Sequence, residues 1–254
     1  MDATQYFQQD GEGYQQFRPQ YPTGLVTELA QHCAEQRCAV DVGCGSGQLT
    51  RLLAGQFARV VGTDISASQI EAAAEHSNGI EYRCEPANRV GVESASVDLL
   101  TVAQAAHWFE LPEFYAEAQR LLTRDGVLAL ISYGVPYIED PVNSLFQQGY
   151  WQTIHSFWPE ERRLVERNYL DLYFPFRRLQ VMPCVIRQSW NYAQLEGYIR
   201  TWSAFHQARQ SDEGCQRFSE FFGTLRQGWG APPDATKSIV WPLSIRAAQP
   251  NLSA

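Results

Sequence analysis

The sequence predicts an α/β chain built on a doubly wound, mostly parallel sheet of seven strands, with an N-terminal aromatic arm and a C-terminal helical cap. Three observations predict it. Short apolar runs alternate with amphipathic segments of helical period, and the links between them are short. The first such run, Ala39-Val40-Asp41-Val42, stops at a turn in which Gly43, Gly45 and Gly47 alternate with small residues, and an amphipathic segment follows at once. The second apolar run, Arg59 to Thr63, ends in the acid Asp64.

The elements follow in order. Residues 1–22 carry Tyr6, Phe7, Tyr14, Phe17 and Tyr21, with Arg18 between two of them, and end in RPQYP, whose prolines limit helix on either side. This arm reads equally as packing and as a lid over an anionic group. Thr23 is placed to cap a helix over 24–36 with Leu25, Val26, Leu29 and Ala30 inward. Strand 39–42, helix 48–57, strand 59–63 and a helix over 67–76 capped by Ser66 come next. Strands over 80–84 and 96–101 precede a helix that Pro112 opens and that runs to 122, and Arg124-Asp125-Gly126 turns the chain into a strand over 127–132.

Past Gly134 the pattern changes. Phe146, Tyr150, Ile154 and Phe157 predict an aromatic helix over 142–158. Strands over 182–190 and 238–246 flank a helical stretch, 192–229, whose face Tyr198, Thr201, Trp202, Phe205 and Arg209 is aromatic rather than aliphatic. The expected organisation is one domain. Its parts are the arm and first helix (1–36), a cofactor-binding core (37–134), cap insertions (135–181 and 191–237) and the last strands (182–190 and 238–246).

Composition narrows the function. A chain of 254 residues with 44 % hydrophobic residues can bury one large core with a cap. The net charge of -8 argues against a phosphate backbone as partner, so no nucleic acid is expected. Lys237 is the sole lysine, which leaves nothing like a polybasic membrane patch. No apolar run reaches a membrane span and the first residues form no signal peptide, so a cytoplasmic protein is expected. The cysteines at 33, 38, 44, 84, 184 and 215 form no CxxC pair, and no HExxH accompanies them. Free thiols and no metal site are expected.

The chemistry centres on the glycine turn. A strand, a glycine loop and a helix start together bring backbone close to a ligand. A carboxylate buried at Asp41 requires partners, and the loop's own amides or a cation at the strand end would serve. An acid in the place of Asp64, at the end of the second strand of a βαβ unit, is where a ribose diol is held. A helix N-cap is its bland alternative, with Ser66 a rival. Cys44 reads as a small residue that the turn tolerates. Gln48 stands where a dinucleotide fingerprint has its third glycine, which argues against a nicotinamide dehydrogenase.

VDVGCGSGQLT at 40–50 resembles the first motif of the class I S-adenosylmethionine-dependent methyltransferases of the type 11 kind, and VVGTDIS at 60–66 resembles their second. YQQFRPQYP at 14–22, SVDLLTVAQAAHWF at 96–109, EAQRLLTRDGVLAL at 117–130, TWSAF at 201–205 and WPLSIR at 241–246 resemble one branch of them, which includes trans-aconitate and cantharidin methyltransferases. The resemblance implies a Rossmann-like fold and S-adenosyl-L-methionine as cofactor. Asp41 and the amides from Gly43 through Cys44 and Gly45 to Gly47 would hold its methionine end, and Asp64 its ribose, with Ile65 on the adenine. Ala103 and Gln104 would lie beside the methionine portion, under Tyr14 and Arg18 of the arm. Members of the family commonly place an acid after the third strand to read adenine. Pro86 stands there in this chain, which leaves the backbone of Ala87 and Asn88 for that task.

On the acceptor side the resemblance points to His107 and Trp108, and Tyr133, Arg200 and Trp202 are further substrate-binding candidates, with a solvated surface charge the alternative for Arg200. A sulfonium methyl group is already activated, so alignment in a dry site matters more than strong acid or base. A carboxylate acceptor needs no base but does need a cation, for which Arg200 is the candidate. A phenol, thiol or ring nitrogen would need one, and His107 reads as base or as wall. A small-molecule acceptor is expected, in a monomer or homodimer. A tRNA or protein acceptor is the alternative, disfavoured by the acidic charge, and a non-catalytic cofactor-binding protein is a third.

Overall fold

The structure is a computed structural model, and it describes residues 18–75, 79–230, 232 and 234–251. Tyr14 and the rest of the arm before Arg18 lie outside the described residues.

Alternation of side chains builds the two faces of the sheet. β1 (Cys38–Val42) is buried at every residue, as a strand covered on both faces must be. It pairs in parallel with β2 (Arg59–Asp64) on one side and β4 (Val97–Ala103) on the other; β3 (Glu81–Cys84) continues from β2, and β5 (Leu122–Tyr133) from β4. Val40, Val42, Leu100, Val102, Leu128 and Leu130 face one cluster, which the helix α4 (Leu111–Leu121) covers with Phe114, Ala118 and Leu121. Their odd-numbered neighbours Ala39, Leu99, Ala129 and Ile131 face the other cluster, with Leu25 and Leu29 of α1 (Thr23–Gln31) and Leu49 and Leu53 of α2 (Gln48–Leu53). The helix α3 (Ala67–Ala74) lies between β2 and β3 in the chain, and Ser66 caps it by accepting from the Gln69 amide at 3.4 Å.

The chain enters β1 through a buried latch. Asp98, at the start of β4, accepts from the amides of Arg37 and Cys38 at 2.9 and 3.0 Å.

The cap begins with β6 (Tyr137–Ile138) and α5 (Asn143–Gly149). A wide π turn (Tyr150–Ile154) and a tight turn (His155–Phe157) lead to α6 (Arg162–Glu166), β7 (Arg177–Leu179) and β8 (Val185–Trp190). The helices α7 (Tyr192–Arg200), α8 (Ser203–Ala208) and α9 (Asp212–Trp229) precede β9 (Lys237–Gln249). β9 does two jobs. Its first half pairs antiparallel with β8 and β6, and its second half with β5 and β7, so one strand belongs to both cap and core.

Several expectations need correction. Nine strands stand in the sheet among the described residues rather than seven. The two extra ones, β6 and β7, are too short to carry a periodic signal and exist by pairing onto β9. They also make the 135–181 insertion less helical than expected. Pro22, not Thr23, occupies the N-cap of α1, and that helix ends at Gln31. Helix 48–57 closes at Leu53, with the residues up to Phe57 in a turn. Arg124-Asp125-Gly126 is drawn into the start of β5, where a Cβ on Gly126 would meet the Val97 carbonyl at 2.7 Å. The helix predicted over 142–158 breaks at Tyr150, where a π turn keeps Tyr150 and Ile154 fully buried. The stretch 192–229 is three helices. Asn191 and Gln194 form a capping box at the first, and Ser211 caps the third. No described helix is long and apolar enough to cross a membrane.

Replacing Asp98 by alanine orphans two buried amides at the mouth of β1. A loss of about 2–4 kcal/mol is expected, read as a lowered urea midpoint at unchanged slope. A midpoint within error of the parent would remove Asp98 from the account of β1.

Candidate active site

The glycine turn hangs between two carboxylates. Asp41 is Cα partner to Thr101 across β1 and β4, so in a parallel pair both side chains leave the sheet on the same face. Its two oxygens accept from the hydroxyls of Thr101 and of Thr50 on α2, each at 2.7 Å. The partners are therefore hydroxyls rather than loop amides or a cation. Burial nonetheless raises this carboxyl to about 6, against the pull of the two hydroxyls. Asp64 accepts from the amides of Gly45 and Ser66, both at 2.9 Å, which pins the loop to the end of β2. Each Asp64 oxygen keeps a lone pair for a further donor.

The loop approaches its neighbours too closely for side chains. Gly43 has φ 67°, and a Cβ there would meet the Ala105 Cβ at 2.6 Å. Gly47, at φ 78°, would drive one into the Tyr82 hydroxyl. Cys44 bonds within the loop, its thiol pushed up by burial, so it is no thiolate nucleophile.

Beneath the loop lies a cavity of about 310 Å³. Arg18, Asp41, Gly43, Cys44, Gly45, Asp64, Ile65, Ala87, Asn88, Ala103, Gln104, Trp108 and Tyr133 line it, so most of the residues singled out in the sequence meet in one place. Tyr21, Gln69, Glu85, Phe109, Glu110 and Phe114 line it too, and the sequence reading passed over them as site residues. Tyr21 and Phe109 lie inside motifs that had been read, YQQFRPQYP and SVDLLTVAQAAHWF, and that membership is the signal that was available. Asn88 already donates to Glu113 at 2.6 Å. Gln104 is held in the left-handed region at φ 58°, which costs a non-glycine residue about 1–2 kcal/mol. Its amide donates to the Ile131 carbonyl and its Nε2 to the Tyr133 carbonyl, both at 2.9 Å. The Oε1 is left buried with no hydrogen-bond partner among the described residues.

Four expected residues stand apart from this lining. Gly47 shapes the loop from behind. Trp202 is buried in the cap, edge-on to Tyr198 and Tyr150. Arg200 points the other way, its guanidinium on Glu196 at 2.9 Å and over the Phe222 ring at 4.7 Å. It lines a separate cleft between α7, α8 and α9. A helix that exposes one face puts its long cation there, and an aromatic inner face does not recruit it.

His107 sits just behind Trp108, its Nδ1 2.8 Å from the Tyr169 hydroxyl. Burial first, and then the charge of Arg162, pull it down to about 3. The imidazole is neutral throughout the physiological range and a poor proton acceptor.

Residues 40–130 match the family described as Methyltransferase domain. A Dictyostelium discoideum protein named as a methyltransferase is 38% identical over 76% of this chain and 75% of its own length. A Saccharomyces cerevisiae protein named as an S-adenosylmethionine-dependent methyltransferase, CRG1, is 29% identical over 55% of this chain and 52% of its own. The solved structure of an Anaeromyxobacter dehalogenans protein, named as a type II methyltransferase, superposes with a TM-score of 0.85 at 35% identity. It covers 92% of this chain and 100% of that one.

The raised carboxyl of Asp41 sets a pH dependence. Between its ordinary value of 3.8 and about 6, the folded protein holds a proton that the unfolded chain releases. Stability therefore falls as pH rises through that window and is level above it. Asp41→Asn cannot ionise and is expected to lack the fall. Relative to the parent it gains about 1–3 kcal/mol between about pH 4 and about pH 7, whatever its constant offset. Urea titrations across that range that run parallel for the two proteins would refute this.

Proposed function

The chain belongs to the methyltransferase family, and on that premise we propose that it transfers the methyl group of S-adenosyl-L-methionine to a carboxylate oxygen of a small molecule, leaving S-adenosyl-L-homocysteine. The residues present fit the cofactor. Gln104 Oε1 is a buried acceptor in want of a donor, as the methionine ammonium is, and Asp64 keeps two lone pairs for the ribose hydroxyls. The backbone at Gly43 is bare where a Cβ would meet Ala105. When bound, the cofactor supplies an activated methyl cation equivalent on sulfur.

The chain's own residues do the rest. Asp41, Asp64 and the loop hold the donor in register. Arg18, Tyr21 and Tyr133 close the cavity toward the cap and exclude water, Tyr21 meeting Tyr133 edge-on at 6.1 Å between ring centres. Trp108 lies on the same lining.

The observation that carries the acceptor class is His107. A group at about 3 cannot take a proton from a phenol, a thiol or an ammonium at neutral pH. An acceptor already ionised at neutral pH requires no base, and a carboxylate is that acceptor. The reading of His107 as wall rather than base follows.

Labelled S-adenosylmethionine with a low-mass cell extract tests this: the label is expected in products that alkali releases as methanol. His107→Gln is expected to keep kcat within about threefold, since no proton transfer is lost. A base-stable product, or a hundredfold fall in kcat for that variant, would return His107 to the role of base. Separately, Asp64→Ala is expected to weaken S-adenosylmethionine binding by about 10- to 100-fold in calorimetry. An unchanged affinity would exclude Asp64 from the ribose.

A further inference from the structure

The cap holds buried donors that the cofactor cavity does not use. α6 opens at Arg162 and packs against the turn that carries His107, Ala106–Trp108. The Arg162 side chain is 16% exposed, and its Nε is buried with no hydrogen-bond partner among the described residues. The nearest carboxylate oxygen, Glu166 Oε1, is 3.9 Å away. Glu166 is already engaged, by the Tyr150 hydroxyl at 2.9 Å and by His155 Nε2 at 3.1 Å. The guanidinium lies 4.4 Å over the ring of Trp158, whose own Nε1 is likewise buried without a partner among the described residues. Folded proteins rarely leave two adjacent donors unmet, and such a pair marks a place where something else accepts.

The turn that α6 packs against carries Trp108, which lines the cofactor cavity. Trp158 stacks on Trp202 at 5.5 Å, and Trp202 meets Tyr198 edge-on at 5.4 Å. The charge of Arg162 acts on His107, on Tyr198 and on Tyr150, and its side chain also hydrogen-bonds Tyr150, which leaves the Nε as the unmet donor. Tyr198 in turn is coupled to Tyr133 and Arg18, both on the lining of the cofactor cavity.

We propose that Arg162, with Trp158 Nε1, binds the carboxylate of the acceptor, and that Arg162 is the specificity-determining cation of the cap. The inference rests on the carboxylate reading and gives that reading the anchor that Arg200 does not supply. The guanidinium and the indole N–H donate to the carboxylate, leaving a lone pair of the same group for the methyl carbon. One oxygen–carbon bond forms, the sulfur–carbon bond breaks, its electron pair stays on sulfur and no proton moves. The ester that results carries no charge at that group, so Arg162 holds product less tightly than acceptor.

The test uses the acid fraction of a low-mass cell extract, labelled S-adenosylmethionine, and alkali-released labelled methanol as readout. Arg162→Gln is expected to raise the half-saturating amount of that fraction by about tenfold or more. Its kcat should stay within about threefold of the parent, and cofactor affinity by calorimetry should be unchanged. Arg162→Lys should recover part of the loss. Trp158→Phe keeps an aromatic face but loses the N–H together with the rest of the indole, and should raise half-saturation by about threefold; with its urea midpoint measured alongside, it stands as the test if Arg162→Gln does not fold. Ester formation with half-saturation unchanged in both variants overturns the inference alone. No alkali-labile product from the parent protein overturns the carboxylate reading, and the inference with it.

Discussion

A single buried carboxylate organises this molecule. Asp41 is buried in β1, and it is tolerated because Thr50 and Thr101 turn their hydroxyls toward it. Those two bonds join three elements, β1, β4 and α2, at the level where the sheet ends and the cavity begins. One strand over, Asp64 takes the Gly45 amide, so a second carboxylate fixes the loop itself. A glycine turn has little conformational preference of its own. Here its shape is set by charge held in fixed places.

The same logic decides what His107 is. Asn168 and Tyr169 both lie at φ 57°, a strained region for residues with side chains. β9 holds them there: Ser244 donates to the Asn168 carbonyl at 3.0 Å, and the Arg246 guanidinium to the carbonyls of Tyr169 and Leu172. Strain at Tyr169 is thus offset by bonds from a strand of the core sheet. Its hydroxyl is delivered to His107, whose burial pulls the imidazole well below its ordinary value. Packing far from the loop has set the protonation state of a residue beside the cavity.

Much of this was legible in the chain. Short apolar runs and the glycine turn are local signals, and β1, β2 and β4 with the loop between them fell where those signals lie. The site residues of the core were legible for the same reason, since Asp41, Gly43, Gly45 and Asp64 lie within two adjoining turns. Thr101 was not, although it faces Asp41 across the sheet, because register between strands sixty residues apart has no local signature. Arg200 was misjudged because sequence position near an aromatic segment does not say which side of a helix is outside. Tyr169 and β7 were illegible because a left-handed residue and a three-residue strand exist only through β9. Those features belong to tertiary structure.

β9 also sets the order in which the protein can be made. Leu128 to Tyr133 of β5 pair with residues 243–248 of β9, and on that side no other long strand covers them. As the chain leaves the ribosome, β5 is complete more than a hundred residues before its partner exists. At ordinary synthesis rates that interval is roughly 5–20 s. Throughout it, LALISY presents an unpaired apolar edge of the kind that adds foreign strands. The cap residues made in that interval cannot settle on the sheet either, since β8 and β6 join it only by way of β9. The nascent chain must therefore carry an open edge and an undocked aromatic cap together, and a single late strand closes both.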